Sequence, residues 1–250
     1  MNDELTITTL AERPELQEPM WQMLDTWAEF VSNDPVGWAN IGRIVAELPE
    51  YVLVATEPDG TVVARAFSVP LQLAAEGRGW LPGTGWDQVM LWAFSDLRHG
   101  RTPDTVSAIE ITVADGRLGR GISGRMLAAM RENARRLGFE ELIAPVRPSR
   151  KSEEPAALIE EYAYRTRAAD GLPEDPWLRV HVRAGGVIDS IAPASMTVSG
   201  TLEQWRKWTG LPFDASGPVE VPGALVPVHC DAERGYAVYV EPNVWVRHRT

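Results

Sequence analysis

The chain has 250 residues, with 24 Lys and Arg against 35 Asp and Glu, giving a formal net charge of −11. Its 44% hydrophobic and 24% charged content fits a globular protein large enough to bury a core without metal or disulfide. A single cysteine, Cys230, excludes an intrachain disulfide and a cysteine-based metal cluster, and the acid excess argues against general nucleic-acid binding. No apolar run reaches the roughly 18–20 residues of a membrane helix. The opening MNDELTITTL lacks the basic-then-apolar pattern of a signal peptide. The expectation is a cytoplasmic protein with neither a membrane nor a nucleic-acid partner.

Leu5–Leu10 reads as a first strand. Glu15–Val31 places Leu16, Met20, Met23, Leu24, Trp27 and Phe30 at helical spacing, and Asn33-Asp34-Pro35 stops that helix and starts another over Val36–Leu48. Two strand-like runs, Tyr51–Ala55 and Val62–Val69, flank the turn signal Pro58-Asp59-Gly60. Residues 74–104 form a long Gly-, Pro- and Trp-rich connection holding one helix around Val89–Leu97, which reads as an insertion or a lid. Its Trp80, Trp86 and Trp92 either anchor the insertion or line an apolar pocket. Val106–Val113 is the next strand, followed by a helix over Gly121–Leu137, a strand over Leu142–Val146, and helices over Pro155–Ala168 and Pro176–Ala184. The tail adds strands near Val187–Ser199, Ala224–His229 and Tyr236–Val240, with a short helix at Leu202–Trp208. This order lacks the βαβα alternation of a fully parallel sheet.

The informative segment is Ile109-Glu-Ile-Thr-Val113-Ala-Asp-Gly-Arg-Leu118-Gly-Arg-Gly121-Ile-Ser-Gly124. A strand, a glycine loop and a helix start present unpaired amides and the positive end of a helix dipole, a setting that attracts phosphate. Gly119-Arg-Gly121-Ile-Ser-Gly124 also matches the dinucleotide fingerprint GxGxxG. The acid that such a fold needs about 20 residues on is not at the end of the next strand, which carries Arg147 instead. Arg147, Arg150 and Lys151 could serve an NADP 2′-phosphate, so an NADP-binding protein remains an alternative.

With Val113 as the strand end, the segment resembles the GNAT acyltransferase motif, (Gln/Arg)-x-x-Gly-x-(Gly/Ala), over Leu118-Gly119-Arg120-Gly121-Ile122-Ser123. Leu118 and Ser123 depart from the pattern, and Arg117 lies one residue early. The segments Asp175–Gly186 and Tyr239–His248 also look like GNAT domains found beside nitrilase-like hydrolases. The resemblance implies an α/β fold with a mixed twisted sheet and helices on both faces. An acyl-CoA-binding domain over 1–190 would carry the insertion at 74–104, with 191–250 as an extended C-terminal region packed on it.

The resemblance further implies an acyl-CoA-dependent N-acyltransferase, with acetyl-CoA the default donor, acting on a small amine or amino-acid-like acceptor by direct attack. Backbone amides of Arg120–Gly124, helped by Arg117, Leu118 and Gly119, would hold the pyrophosphate. Ile111, Thr112 and Val113 would pair with the pantetheine arm as with an added strand. Arg147, Arg150 and Lys151 would meet the 3′-phosphate or an anionic acceptor.

Glu110, which alternation places on one face with Thr112, is the candidate base. His181, four residues before Gly185, stands where many GNAT enzymes carry a general-acid Tyr; near its reference pKa of about 6.5 it could protonate a departing thiolate. Tyr162 and Tyr164 are reserves. His229-Cys230 reads as packing, no two histidines have metal-ligand spacing, and no metal is expected. The altered Leu118 and the missing Tyr leave a non-catalytic acyl-CoA- or partner-binding module as the alternative, with a monomer or homodimer in either case.

Overall fold

Runs of β-branched and small apolar residues build the sheet, and its register shows where the chain can admit a ligand. A computed structural model describes residues 5–24 and 26–250; Met1–Glu4 and Asp25 lie outside the described residues. Strands β1 (Thr6–Thr9), β2 (Val52–Thr56), β3 (Val62–Leu71) and β4 (Thr105–Val113) form an antiparallel run. Strand β5 (Glu141–Val146) lies parallel to β4, and β9 (Tyr236–Arg249) runs antiparallel to β5. Strand β6 (Val187–Thr201) pairs with β9 along most of its length, and β8 (Val228–Asp231) and β7 (Gly217–Val219) continue the sheet beyond it. The mixed α/β fold expected from the sequence is the fold observed.

One pair of strands departs from regular pairing. Strands β4 and β5 share only Val106↔Leu142 and Ser107↔Ile143, then part. Opposite β3, Phe67 faces Glu110 while Ser68 faces Ala108, so Ile109 is an extra residue that bends β4 where the two strands separate.

Among the described residues, seven helices surround the sheet: α1 (Gln17–Gln22), α2 (Pro35–Glu47), α3 (Gly85–His99), α4 (Ile122–Arg136), α5 (Ile159–Tyr162), α6 (Pro176–Arg183) and α7 (Leu202–Thr209). Asp34 and Asp175 cap α2 and α6 ahead of a proline, and Thr201 with Gln204 forms a capping box on α7. Two apolar cores result. The larger lies between the sheet and α1–α4; the smaller gathers Trp205, Phe213, Cys230 and Tyr239 around the β6–β9 ribbon and takes in Phe30.

Four expectations are corrected. The helix over Glu15–Val31, in which Asp25 lies outside the described residues, ends at Gln22; Met23 turns extended, and Trp27 and Phe30 are drawn to separate tertiary partners. The helix over Pro155–Ala168 shrinks to the single turn α5. The strand at Ala224–His229 begins only at Val228, and the one at Tyr236–Val240 runs on to Arg249. The position near 190 lies inside β6, and β9 lies in the sheet beside β5.

One buried acid ties the insertion to β6, and another caps α2. Asp34 at the start of α2 accepts from Gly37 N, and Asp87 in the first turn of α3 accepts from Thr197 N of β6. The Oδ1 of each is buried without a partner among the described residues. Burial raises the Asp34 pKa to about 6; burial and then the Asp34 charge raise that of Asp87 to about 8. A carboxyl that keeps its proton when folded but loses it near pH 4 when unfolded stabilises the fold at low pH, and that stability is lost as pH rises through about 8. Asp87→Asn is therefore expected to melt higher than the parent at pH 8.5 and to lose less stability between pH 6.5 and 8.5. Calorimetry of the two proteins side by side checks it; parallel curves would refute the account.

Candidate active site

Where β4 and β5 part, their separated halves become walls of one cavity of about 780 Å³. Ala108–Val113 line one side and Ala144–Arg147 the other. Backbone groups that a continuous ladder would have consumed face this gap, as an added extended chain requires.

At one end lies the glycine loop. Gly119 and Gly121 sit at φ of +76° and +73°, and Gly121 occupies the N-cap position of the 15-residue α4. A Cβ on either glycine would meet nothing within 4 Å, so the left-handed backbone, rather than crowding, requires glycine there. Unlike α2, α6 and α7, helix α4 has no side-chain cap among the described residues, a start that suits an anion. Leu118 and Ser123 line the cavity beside this terminus. Arg120 is exposed on the loop, Ile122 is buried in the larger core, and Gly124 lies against Val180 of α6. The residues present fit a pyrophosphate bound through backbone, with space above the glycines.

The middle of the cavity is polar. Arg65 Nε and Thr112 Oγ1 both donate to Glu110 Oε1 at 2.8 Å, and Trp27 Nε1 donates to Thr112 Oγ1 at 2.9 Å. Trp27 therefore pins the segment after α1 over β4. Trp86 donates from Nε1 to Ile109 O, so that tryptophan of the insertion does line the cavity, whereas Trp92 packs on the core under Arg78.

A second polar group closes the far wall. Glu241 accepts from Arg147 Nε at 2.9 Å, from Tyr239 OH at 2.8 Å and from Asn243 Nδ2 at 3.1 Å. Burial and then the Glu241 charge push the Tyr239 phenol above its ordinary range, so it stays a donor. Sequence reasoning missed Arg65, Trp27, Glu241 and Asn243. The alternation Tyr239, Glu241, Asn243 was a readable signal for one face of a strand.

The structure brings Glu110, Ile111, Thr112, Val113, Leu118, Ser123, Arg147 and His181 to one cavity. It does not assemble the basic clamp. Arg147 reaches the cavity but is bound to Glu241; Arg150 pairs with Glu153 on the surface. Lys151 is fully buried and donates to the carbonyls of Glu154, Pro155 and Leu225, with its pKa lowered by burial. Arg117 forks onto Glu57. The dinucleotide alternative also falls away, because β4 and β5 are the one parallel pair among the described residues and repeated βαβ units are not formed.

His181 is buried on α6, and its Nδ1 lies 2.9 Å from His248 Nε2. Burial and then His248 push its pKa down to about 3, so the ring is neutral at pH 7 and the imidazolium expected from its reference value is not populated. Of the reserves, Tyr162 donates to Asp175 in the interior and Tyr164 is on the surface.

Comparison with known proteins bears on the family. The arginine N-acetyltransferase avaD of Aspergillus versicolor is 33% identical over 274 aligned residues, covering 97% of this chain and 93% of that protein. The loading GNATL domain of CurA from Lyngbya majuscula superposes with a TM-score of 0.61 at 15% identity, over 98% of this chain and 96% of that one. The GphF GNAT-like decarboxylase, solved with isobutyryl-CoA, gives 0.54 at 16% identity over 98% of both chains. No family model matches the chain. The near-full-length relative, the parted parallel strands and the glycine-started helix together place the chain in the GNAT superfamily of acyltransferases.

Proposed function

We propose that this protein transfers an acyl group, acetyl by default, from a coenzyme A thioester to the nitrogen of a small cationic acceptor of the amino-acid class. The observation that carries the reading is the gap between β4 and β5, which opens onto the α4 N-terminus at one end and onto Glu110 in the middle. The pyrophosphate would rest on the amides of Arg120–Gly124, and the pantetheine arm would run beside Ile111–Val113. The thioester supplies an activated acyl carbon with thiolate as leaving group.

Glu110 takes the proton that the acceptor nitrogen loses as its bond to the acyl carbon forms. Arg65 and Thr112 hold that carboxylate in place. Similarity to an arginine N-acetyltransferase favours arginine or a close analogue as acceptor. The cavity is suited to such a cation: Trp21, Trp27, Trp38, Trp86 and Trp177 offer ring faces, and Glu110 and Glu241 offer carboxylates.

Three outcomes are expected. The parent protein releases CoA thiol from acetyl-CoA in the presence of L-arginine, L-lysine or a simple alkylamine; silence across that panel, with acetyl-CoA bound, would overturn the catalytic reading. Gly121→Glu abolishes CoA binding by calorimetry, because a carboxylate would stand where pyrophosphate must, whereas Gly121→Asn, which tolerates positive φ, retains it. Equal binding by both would remove the anion cradle. Glu110→Gln lowers kcat about 100-fold with little change in the KM for acetyl-CoA, the scale of a lost general base. A KM effect alone would make Glu110 a binding residue.

A further inference from the structure

A second histidine stands behind the first, and its surroundings bear on what the first can do. His248, in β9, is almost wholly buried, and so is His181. His181 lines the cavity, with its ring edge-on to Trp177 at 4.6 Å, and turns Nδ1 to His248 Nε2 at 2.9 Å. The contact is made possible by Gly186, where a Cβ would lie 2.6 Å from His248 Cε1 and 2.8 Å from Val246 Cγ1. Arg131 of α4, which caps the carbonyls of Ala184 and Arg249, sets a positive charge nearby that further disfavours a charged His248. Two neutral rings at this distance share one proton, and its position decides which nitrogen of His181 carries hydrogen into the cavity.

His248 Nδ1 is buried and has no partner among the described residues. A buried N–H left without an acceptor is rarer and more costly than a buried lone pair left without a donor. The proton of His248 therefore belongs on Nε2, where it is donated to His181 Nδ1. His181 must then carry its own proton on Nε2, the nitrogen left for the cavity.

We propose that His248 is a positioning residue that fixes His181 as the neutral Nε2–H tautomer, making it a hydrogen-bond donor to the sulfur that departs in acyl transfer. The inference rests on the acyltransferase reading above for its catalytic consequence, but not for the tautomer itself. As the carbon–nitrogen bond forms and the carbon–sulfur bond breaks, the electron pair of the latter moves to sulfur, and Nε2–H stabilises that charge without giving up its proton. The proton lost by the acceptor goes to Glu110, and the released thiolate is protonated by solvent.

The test has two independent arms on the full-length protein. In ¹⁵N-histidine-labelled protein at pH 7, both Nδ1 resonances are expected in the unprotonated range and both Nε2 resonances in the protonated range, with assignments from His181→Phe and His248→Gln. A protonated Nδ1 on either ring would overturn the proposal whether or not the protein turns over. In kinetics with acetyl-CoA and L-arginine, His248→Ala is expected to lower kcat at least tenfold with an unchanged KM for acetyl-CoA. His248→Gln, whose amide can donate to the same Nδ1, should recover most of it. The double variant His181→Phe/His248→Ala should be no slower than His181→Phe alone, since one residue acts through the other. Equal losses in the Ala and Gln variants, or additive losses in the double variant, would make His248 a packing residue. Absence of turnover in the parent would reject the acyltransferase reading while leaving the resonance arm to decide the tautomer.

Discussion

The parting of β4 from β5 is the constraint from which the rest of the site follows. Two parallel strands that paired along their whole length would bury Ala108–Val113 and Ala144–Val146 in a continuous ladder, with no cavity. Two rungs hold them together at one end, and the extra residue Ile109 turns β4 away at the other. Every functional element is then placed relative to that wedge. The helix after β4 starts at the cavity because the loop between them is short, and the chain after β5 delivers Arg147 to its opposite wall. The wedge is kept from closing by β9, which pairs with β5 on its other edge and makes β5 a strand with a second neighbour to hold it.

Charge is distributed on the same principle of local compensation. Residues 117–151 contain nine Lys or Arg and three Asp or Glu, a basic stretch within a chain of net charge −11. Folding spends most of that excess. Arg117 meets Glu57, Arg136 meets Glu12 and Arg147 meets Glu241, each partner lying far away in sequence, while Lys151 is satisfied by backbone carbonyls. At the cavity end the α4 terminus adds a positive field made by backbone. Inside the cavity, Arg65 with Glu110 and Arg147 with Glu241 form two ion pairs. Burial instead raises the pKa of the acids Asp34 and Asp87, a cost offset where Asp34 caps α2 and Asp87 anchors α3 to β6.

Much of the fold was legible from local signals. Strands β2 to β5 and helices α2, α4 and α6 announce themselves because their apolar period, caps and stops all agree, as with Asp175-Pro176 before α6. Glu110 and Thr112 were legible as neighbours because strand alternation alone puts them on one face. The failures share a cause. The Glu15–Val31 segment has helical spacing, but Trp27 and Phe30 gain more from Thr112 and from the smaller core than from continuing the helix. The end of β9 was missed because Pro242 reads as a strand breaker, yet it falls where β6 slips its register and no ladder bond is lost.

The sequence by itself determined the element order, the glycine-started helix that suits an anion, and the carboxylate beside it, because each depends on residues a few positions apart. Only the tertiary structure decided which charges remain available, since Arg117, Arg147 and Lys151 were claimed by partners between 3 and 94 residues away. It also decided the state of His181. A histidine's charge is set by its surroundings rather than by its neighbours in the chain, and burial against His248, 67 positions on, turned an expected acid into a neutral ring.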